Sequence, residues 1–171
     1  MKSFGYSWAI FLPNSTNKEG KLLSITYEAK GKKEAKPDAP YRLRFFEYDS
    51  IKNLPSNELT FDDILVAPKV LNKEVTEDLS KYNIIVPANG IVVSIEAYDA
   101  GPQFHYKQMI TTLDNKRKEI EEYGWQINAT YGLSIKDFGR TPGNYWLLWN
   151  NFLGKNQGVA PLIKLEIKVC K

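Results

Sequence analysis

The stretch "DLSKYNIIVPANGIVVSIE", residues 78–96, is the part of the chain that decides the fold most clearly. It contains a polar turn, a short apolar run, a Pro-Ala-Asn-Gly turn and then a regular alternation of apolar and other residues. Because successive side chains of a strand point to opposite faces, Ile91, Val93 and Ile95 are predicted to face a core. The stretch therefore predicts the end of one strand, a turn at 87–90 and a strand that enters the core of a sheet.

The same period of two recurs along most of the chain. It predicts strands at 4–12, 21–29, 41–48, 73–79, 91–97, 124–133, 144–153 and 159–169, with short extended pieces at 64–67 and 84–86. The alternation slips at Phe45-Phe46, which predicts either a bulge or cover on both faces of the strand. Aromatic residues, 13% of the chain, also favour strands. Together these patterns predict an all-β fold, a two-sheet antiparallel β-sandwich that is jelly-roll-like with about eight strands, in one domain spanning 1–171.

Three segments lack this period. Residues 49–72 are predicted to form a long connection with a short helical turn near 59–64. The charged stretch 100–123 is predicted to hold a short surface helix near 114–122, because a single isoleucine offers that helix an apolar anchor. The basic run "KGKKEAK", residues 30–36, is predicted to be a solvated hairpin loop, with contact to an anionic surface as the alternative.

The totals argue against several classes of protein. The formal net charge is +3, which without a clustered basic face predicts no nucleic-acid partner. No run approaches the roughly 20 apolar residues of a membrane span. The one cysteine, Cys170, excludes a disulfide within the chain and leaves the redox compartment undecided. Gly5 and Ser7 interrupt the first apolar run, and no small-residue cleavage site follows it, so it is interpreted as a strand rather than a signal peptide.

Three pieces of the sequence resemble a known family when they are taken in order. They are "YRLR" at 41–44, "DLSKYNIIVP" at 78–87 and "IVVSIE" at 91–96. This arrangement, covering about residues 41–98, resembles the β-sandwich domain that follows a carboxypeptidase-regulatory-like domain in many bacterial envelope proteins. The regulatory-like domain itself is not in this sequence. The resemblance implies a sandwich fold and a location in the cell envelope or outside the cell, and it implies no catalytic residue.

Residues suited to catalysis or metal binding are few. His105, the only histidine, has no second histidine or nearby cysteine for a metal site, and no G-x-S-x-G motif is present. Glycoside hydrolysis needs two carboxylates that face each other across roughly 5–10 Å. The neighbours Asp62-Asp63 and Glu121-Glu122 seldom suit that geometry as pairs, although a pair from distant segments stays open. No D-x-D-x-D-G run indicates calcium, so no metal and no cofactor are predicted.

Aromatic residues in the final third are the strongest candidates for a binding site. In "GNYWLLWNNF", residues 143–152, they fall on both faces of a predicted strand, so one face is expected to be core and the other covered by a loop or exposed. The predicted ligand-binding residues are Trp125, Tyr145, Trp146 and Trp149 as platforms for sugar rings, with Asn150 and Asn151 as hydrogen-bonding neighbours. The alternative is that all of these rings belong to the core.

These observations predict a non-catalytic accessory or binding module of an envelope-associated or secreted protein, with carbohydrate or a surface protein as its partner. A glycan or ester hydrolase on the same scaffold is the rival, and it would need two facing carboxylates or His105 beside a serine and an acid. A purely structural or assembly module is the third interpretation. The exposure of Trp146 and Trp149 distinguishes the sugar-stacking interpretation from the others.

Overall fold

The computed structural model of the chain describes residues 7–112, 114–132, 136–140, 145–148 and 158–169. Its strands are β1 (Ser7–Leu12), β2 (Gly20–Lys30), β3 (Tyr41–Asp49), β4 (Leu54–Glu58), β5 (Ile64–Val66), β6 (Lys73–Asp78), β7 (Ile85–Val86), β8 (Ile91–Ala97), β9 (His105–Thr111), β10 (Arg117–Tyr123), β11 (Gln126–Ile127), β12 (Ala129–Gly132), β13 (Asp137–Arg140), β14 (Trp146–Leu148), β15 (Gly158–Pro161) and β16 (Ile163–Val169). The helical segments within the described residues are two short 3-10 turns, Ser80–Tyr82 and Pro102–Phe104.

Two antiparallel sheets pack face to face and confirm the predicted sandwich. Sheet I has the order β14-β13-β1-β8-β3-β4, with β5 also paired to β3. Sheet II has the order β11-β2-β16, with β6 and β7 also paired to β2. Between β1 and β8 the chain crosses from one sheet to the other four times, and side chains from both sheets line one apolar core. Two small ribbons, β9-β10 and β12-β15, complete the described part of the chain.

The stretch 78–96 carries the chain from sheet II to sheet I. Strand β7 pairs with the start of β2, and β8 then lies between β1 and β3 as a central strand of sheet I. At the turn between them Gly90 has φ +122°, and a Cβ there would lie 2.5 Å from the carbonyl oxygen of Leu12. Glycine is therefore required by both conformation and space at this position. The predicted turn and the predicted core strand are both confirmed.

The slip at Phe45-Phe46 reflects cover on both faces of sheet I. Phe45 is fully buried in the core between the sheets, whereas Phe46 lies in a second apolar cluster on the other face. The members of that second cluster are Ala9, Phe46, Tyr48, Val92 and Phe138, with Phe11, Leu54 and Trp146 packed against it. The register between β3 and β4 also shifts between Phe46 and Tyr48. The register between β3 and β8 is unbroken through Phe45 and Phe46, so cover on both faces explains the slip and no bulge lies at Phe45-Phe46.

The structure corrects three predictions about irregular segments. The expected helix at 114–122 is wrong: β10 pairs with β9 as a hairpin, in which Lys107 Nζ lies 2.9 Å from Glu119 Oε1 across the strands. Residues 59–63 form no helical turn. They connect the end of β4 to the start of β5. The described residues form sixteen strand segments rather than about eight. Two predicted strands are divided, the two short extended pieces are strands, and the hairpin strands β9 and β10 as well as β4 and β13 are not among the predicted strands.

Four aromatic rings, Tyr27, Tyr41, Tyr123 and Trp125, form a cluster that we call the aromatic anchor. The Trp125 ring stacks on Tyr27 with centroids 5.3 Å apart, and its centroid lies 4.5 Å from that of Tyr41. Trp125 Nε1 donates to the carbonyl oxygen of Ala39 at 3.0 Å, and the Tyr41 hydroxyl donates to the carbonyl oxygen of Trp125 at 2.6 Å. The anchor therefore fixes the segment after the β9-β10 hairpin against the segment before β3.

Replacing Trp125 with alanine is expected to lower the free energy of unfolding by about 3–5 kcal/mol, because a fully buried ring and its hydrogen bond are lost. Tyr145→Ala is the matched control, since that ring is 73% exposed and its loss should change stability by no more than about 0.5 kcal/mol. Urea unfolding followed by circular dichroism measures both. Similar small losses for the two variants would contradict the structural role of the anchor.

Candidate functional site

The predicted platform Trp125 lies in the main core and is 1% exposed. Tyr27 and Tyr41 pack against its ring, and its indole nitrogen is satisfied by Ala39. Trp125 therefore presents no face to a ligand, which corrects its assignment as a sugar-stacking residue. Its physical role is to anchor the chain in the core.

The other predicted platforms that the structure describes, Tyr145 and Trp146, differ in exposure and do not form one patch with Trp125. Tyr145 is 73% exposed, whereas Trp146 is half-buried and packs edge-on against Phe46, with ring centroids 5.2 Å apart. Trp146 and Trp125 belong to apolar clusters on opposite faces of sheet I, so they do not form one patch. The remaining predicted ligand-binding residues, Trp149, Asn150 and Asn151, lie outside the described residues.

Polar residues on the outer face of sheet I form a group that we call the arginine face. It comprises Arg42, Arg44, Ser94, Glu96 and Arg140. The strand register places Arg42 opposite Glu96 and Arg44 opposite Ser94, while Arg140 lies opposite Ser7 of the intervening strand β1. The same face carries the second apolar cluster further along the strands. The arginine face therefore combines charged side chains with a nearby aromatic wall.

Two of these arginines form ion pairs with carboxylates of the chain. Arg42 Nε lies 2.6 Å from Asp63 Oδ1, and Arg44 Nε lies 2.7 Å from Glu58 Oε1. The hydrogen bond to Glu58 raises the pKa of Arg44 above its ordinary value. In contrast, Arg140 Nε is buried and donates to no acceptor among the described residues. Arg140 is thus the arginine of this face that has no carboxylate partner among the described residues.

A second site lies where the β9-β10 hairpin meets the end of β2, and we call it the amide pocket. The cavity has a volume of about 230 Å³. Its lining side chains are Lys30, Lys32, Asn72, Tyr106, Gln108 and Gln126, around the backbone of Gly31. Three carboxamides, a phenol and two ammonium groups therefore surround one small cavity, and together they offer both hydrogen-bond donors and acceptors.

Backbone pairing holds the walls of the amide pocket in place. Gln126 lies directly opposite Lys30 where β11 pairs with β2. Asn72 is fixed by its backbone N–H, which donates to Ala29 at 2.6 Å, and by its side chain, which donates to the carbonyl oxygen of Gly31 at 3.2 Å. The third wall is the hairpin, which the aromatic anchor fixes at its base. The pocket is therefore formed without a ligand.

Gln108 brings a buried side-chain acceptor without a described partner to this pocket. Its Oε1 is buried and accepts no hydrogen bond from the part of the chain that the structure describes. An unpaired buried amide oxygen costs about 1–3 kcal/mol, which a donor supplied by a ligand would recover. Tyr106 lies two residues earlier on the same face of β9 and is half-buried. The pair thus offers an orphaned acceptor beside a partly exposed aromatic ring.

The charges around the amide pocket are balanced by nearby acids. Lys30 Nζ lies 2.5 Å from Glu28 Oε1. Burial raises the pKa of the Tyr106 hydroxyl, and the negative charges of Glu122 and Glu34 raise it further. The pocket is therefore polar without a strong positive field, despite its two lysines.

His105 lies near two acids rather than alone. Its Nδ1 is 3.5 Å from Glu121 Oε1 and its Nε2 is 3.8 Å from Asp99 Oδ1. Its ring also packs edge-on against Tyr123, with centroids 5.4 Å apart. Among the described residues, no group of three or more His, Cys, Asp or Glu side chains is arranged to hold a metal ion.

No helix in the described part of the chain is long and apolar enough to cross a membrane.

The sequence does not single out the residues of the amide pocket. They come from four separate segments, and no short motif joins them. The alternation of Tyr106 and Gln108 with Lys107 and Met109 is the one local signal, and it becomes readable only once 105–111 is known to be a strand.

Comparisons with known proteins leave the chain without an assigned relative. No family model matches it, and neither the curated proteins nor the solved structures contain a match.

Arg44→Met and Arg140→Met are expected to differ in stability, although each removes one positive charge. Arg44→Met leaves the carboxylate of Glu58 without its partner and should lower the free energy of unfolding by about 1–3 kcal/mol. Arg140→Met removes a guanidinium with no carboxylate partner, so its stability should be unchanged or higher. Urea denaturation of both variants measures the difference. Equal losses would contradict the distinction between the two arginines.

Proposed function

We propose that this chain is a non-catalytic binding module of an envelope-associated or secreted protein, and that its ligand is carbohydrate bound in the amide pocket. The single observation that carries the proposal is that Gln108 lines a cavity of about 230 Å³ and has a buried Oε1 that accepts no hydrogen bond from a described residue. A sugar hydroxyl both donates and accepts hydrogen bonds, so it matches a carboxamide.

The size and composition of the pocket support a small polyhydroxylated ligand. Its volume lies below the roughly 300–1,000 Å³ of sites for drug-sized molecules, which suits a single saccharide ring. The carboxamides of Asn72, Gln108 and Gln126 present several polar groups to such a ring. The partly exposed ring of Tyr106 adds an aromatic surface on which the apolar face of a sugar stacks.

The charge balance of the pocket favours a neutral sugar unit. Lys30 is paired with Glu28, so its charge is not available in full to a ligand. Glu122 and Glu34 lie near Tyr106 and add negative charge at the other wall. A phosphate or carboxylate would meet these acids, whereas neutral hydroxyl groups require only the donors and acceptors that line the pocket.

The proposed setting derives from the sequence. The order of "YRLR", "DLSKYNIIVP" and "IVVSIE" resembles the sandwich domain that follows carboxypeptidase-regulatory-like domains in bacterial envelope proteins. A binding role without catalysis agrees with that resemblance, which implies no catalytic residue. It also agrees with a site made of carboxamides and a phenol, since these groups bind hydroxyls well but are weak general acids and bases at neutral pH.

The test begins with a screen of the full chain on an array of neutral and acidic oligosaccharides. Isothermal titration with the neutral gluco- and galacto-oligosaccharides that bind then compares Gln108→Leu with the parent chain. Removing the buried carboxamide is expected to weaken binding by about tenfold or more, because its hydrogen bonds to the ligand are lost. Tyr106→Phe should retain most of the affinity, whereas Tyr106→Ala should lose it, if the ring stacks on the sugar.

Met109→Leu is the matched control, since Met109 is adjacent on the same strand but on the opposite face, and 55% exposed. It should bind as the parent chain does. Absence of any saccharide binding, or equal affinity of Gln108→Leu and the parent chain, would contradict the proposal.

A further inference from the structure

The three arginines of the arginine face differ in whether their Nε nitrogen donates a hydrogen bond to a carboxylate. Arg42 uses Nε and Nη2 to donate to the two carboxylate oxygens of Asp63, at 2.6 and 3.4 Å. Arg44 uses the same two nitrogens to donate to the two oxygens of Glu58. Arg140 Nε is buried and donates to no described residue. Two of the three arginines thus donate from Nε to a carboxylate of the chain, whereas the Nε of Arg140 is buried without a described acceptor.

The positive charge of Arg140 is not neutralised by the acids around it. The remaining acid of this face, Glu96, lies 3.9 Å from Arg42 Nη1, and no carboxylate of a described residue lies within 4.0 Å of Arg140. Burial lowers the pKa of the Arg140 guanidinium, and the charge of Arg44 lowers it further, although Glu58 and Glu96 act in the opposite direction. Arg140 therefore lacks the partner that its two neighbours have.

Arg140 is nevertheless held in a defined position. Its guanidinium carbon lies 5.4 Å from the centroid of Trp146 and 5.9 Å from that of Phe46, which are distances of cation–π contacts. Arg44 approaches the same Phe46 ring at 5.6 Å. A second unpaired polar atom, the Oγ of Ser94, is buried on this face at 1% exposure. The face therefore combines a positioned cation, an aromatic wall and an unsatisfied hydroxyl.

We propose that Arg140, which is half-buried as a residue, binds the carboxylate of an acidic saccharide unit, a uronate, through the part of its guanidinium that is not buried. This inference depends on the proposed carbohydrate binding and specifies a second binding site for it on the outer face of sheet I. A carboxylate is the group indicated, because the chain itself uses carboxylates on the two neighbouring arginines. A saccharide suits the site because the half-buried ring of Trp146 adjoins the guanidinium and can meet the apolar face of a sugar.

The test compares ligands that differ in the carboxylate. The full chain is titrated by calorimetry with oligogalacturonate and with a galacto-oligosaccharide of equal length. The acidic ligand is expected to bind about tenfold to a hundredfold more tightly than the neutral one, as expected for a hydrogen bond between charged groups. Arg140→Gln should remove this preference, and Arg140→Lys should restore only part of it, since lysine lacks the planar fork.

Lys168→Gln is the control for net charge, because it removes one exposed positive charge from β16 in sheet II. It should leave the preference unchanged. Equal affinity of the parent chain and Arg140→Gln for oligogalacturonate would overturn the inference, and so would equal binding of the acidic and neutral ligands.

Binding of oligoglutamate that depends on Arg140, without binding of oligogalacturonate, would also overturn the inference by assigning the site to an acidic peptide. These outcomes differ from failure of the proposed function. Neutral saccharides that still bind, with a loss in Gln108→Leu, would leave the amide pocket standing. A chain that binds no saccharide at all would refute both proposals.

Discussion

The burial of Trp125 is the constraint on which the rest of the structure depends. Its ring lies between Tyr27 of sheet II and Tyr41 of sheet I, so one side chain joins the two layers of the sandwich. Its backbone and indole hydrogen bonds fix the end of the β9-β10 hairpin, a ribbon in which half of the strand residues are exposed. The hairpin forms one wall of the amide pocket, so the candidate site depends on the core through this residue.

Both faces of sheet I are covered, but by different kinds of residues. One face is apolar along its length and packs against sheet II. The other face is apolar around Phe46 and Phe138 and becomes charged toward Arg44 and Arg140. Burial beside an aromatic cluster makes an unpaired guanidinium costly, since charges in such places need partners. Whether each arginine has a carboxylate partner, as Arg44 does and Arg140 does not, therefore describes this face better than its total charge does.

The sequence predicts those parts of the fold in which one face is buried and the other is not. The predicted strands 21–29 and 159–169 show a regular alternation, and the structure places β2 and β16 in sheet II with residues that alternate in burial. The hairpin at 105–123 escapes prediction because both of its faces are largely polar, and its charged run is also compatible with a surface helix. Trp125 escapes because a pattern of aromatic residues does not reveal which ring is buried. The pocket escapes because Asn72, Gln108 and Gln126 come together only through tertiary pairing.

Nuclear magnetic resonance of the ¹⁵N-labelled chain tests whether the amide pocket binds sugar. A neutral gluco- or galacto-oligosaccharide is expected to shift the side-chain carboxamide resonances of Gln108 and Gln126. The indole N–H of Trp125, which donates to Ala39 inside the core, should not shift. Shifts confined to the indole of Trp146, with unchanged carboxamide resonances of Gln108 and Gln126, would contradict the account and assign sugar binding to the aromatic strand.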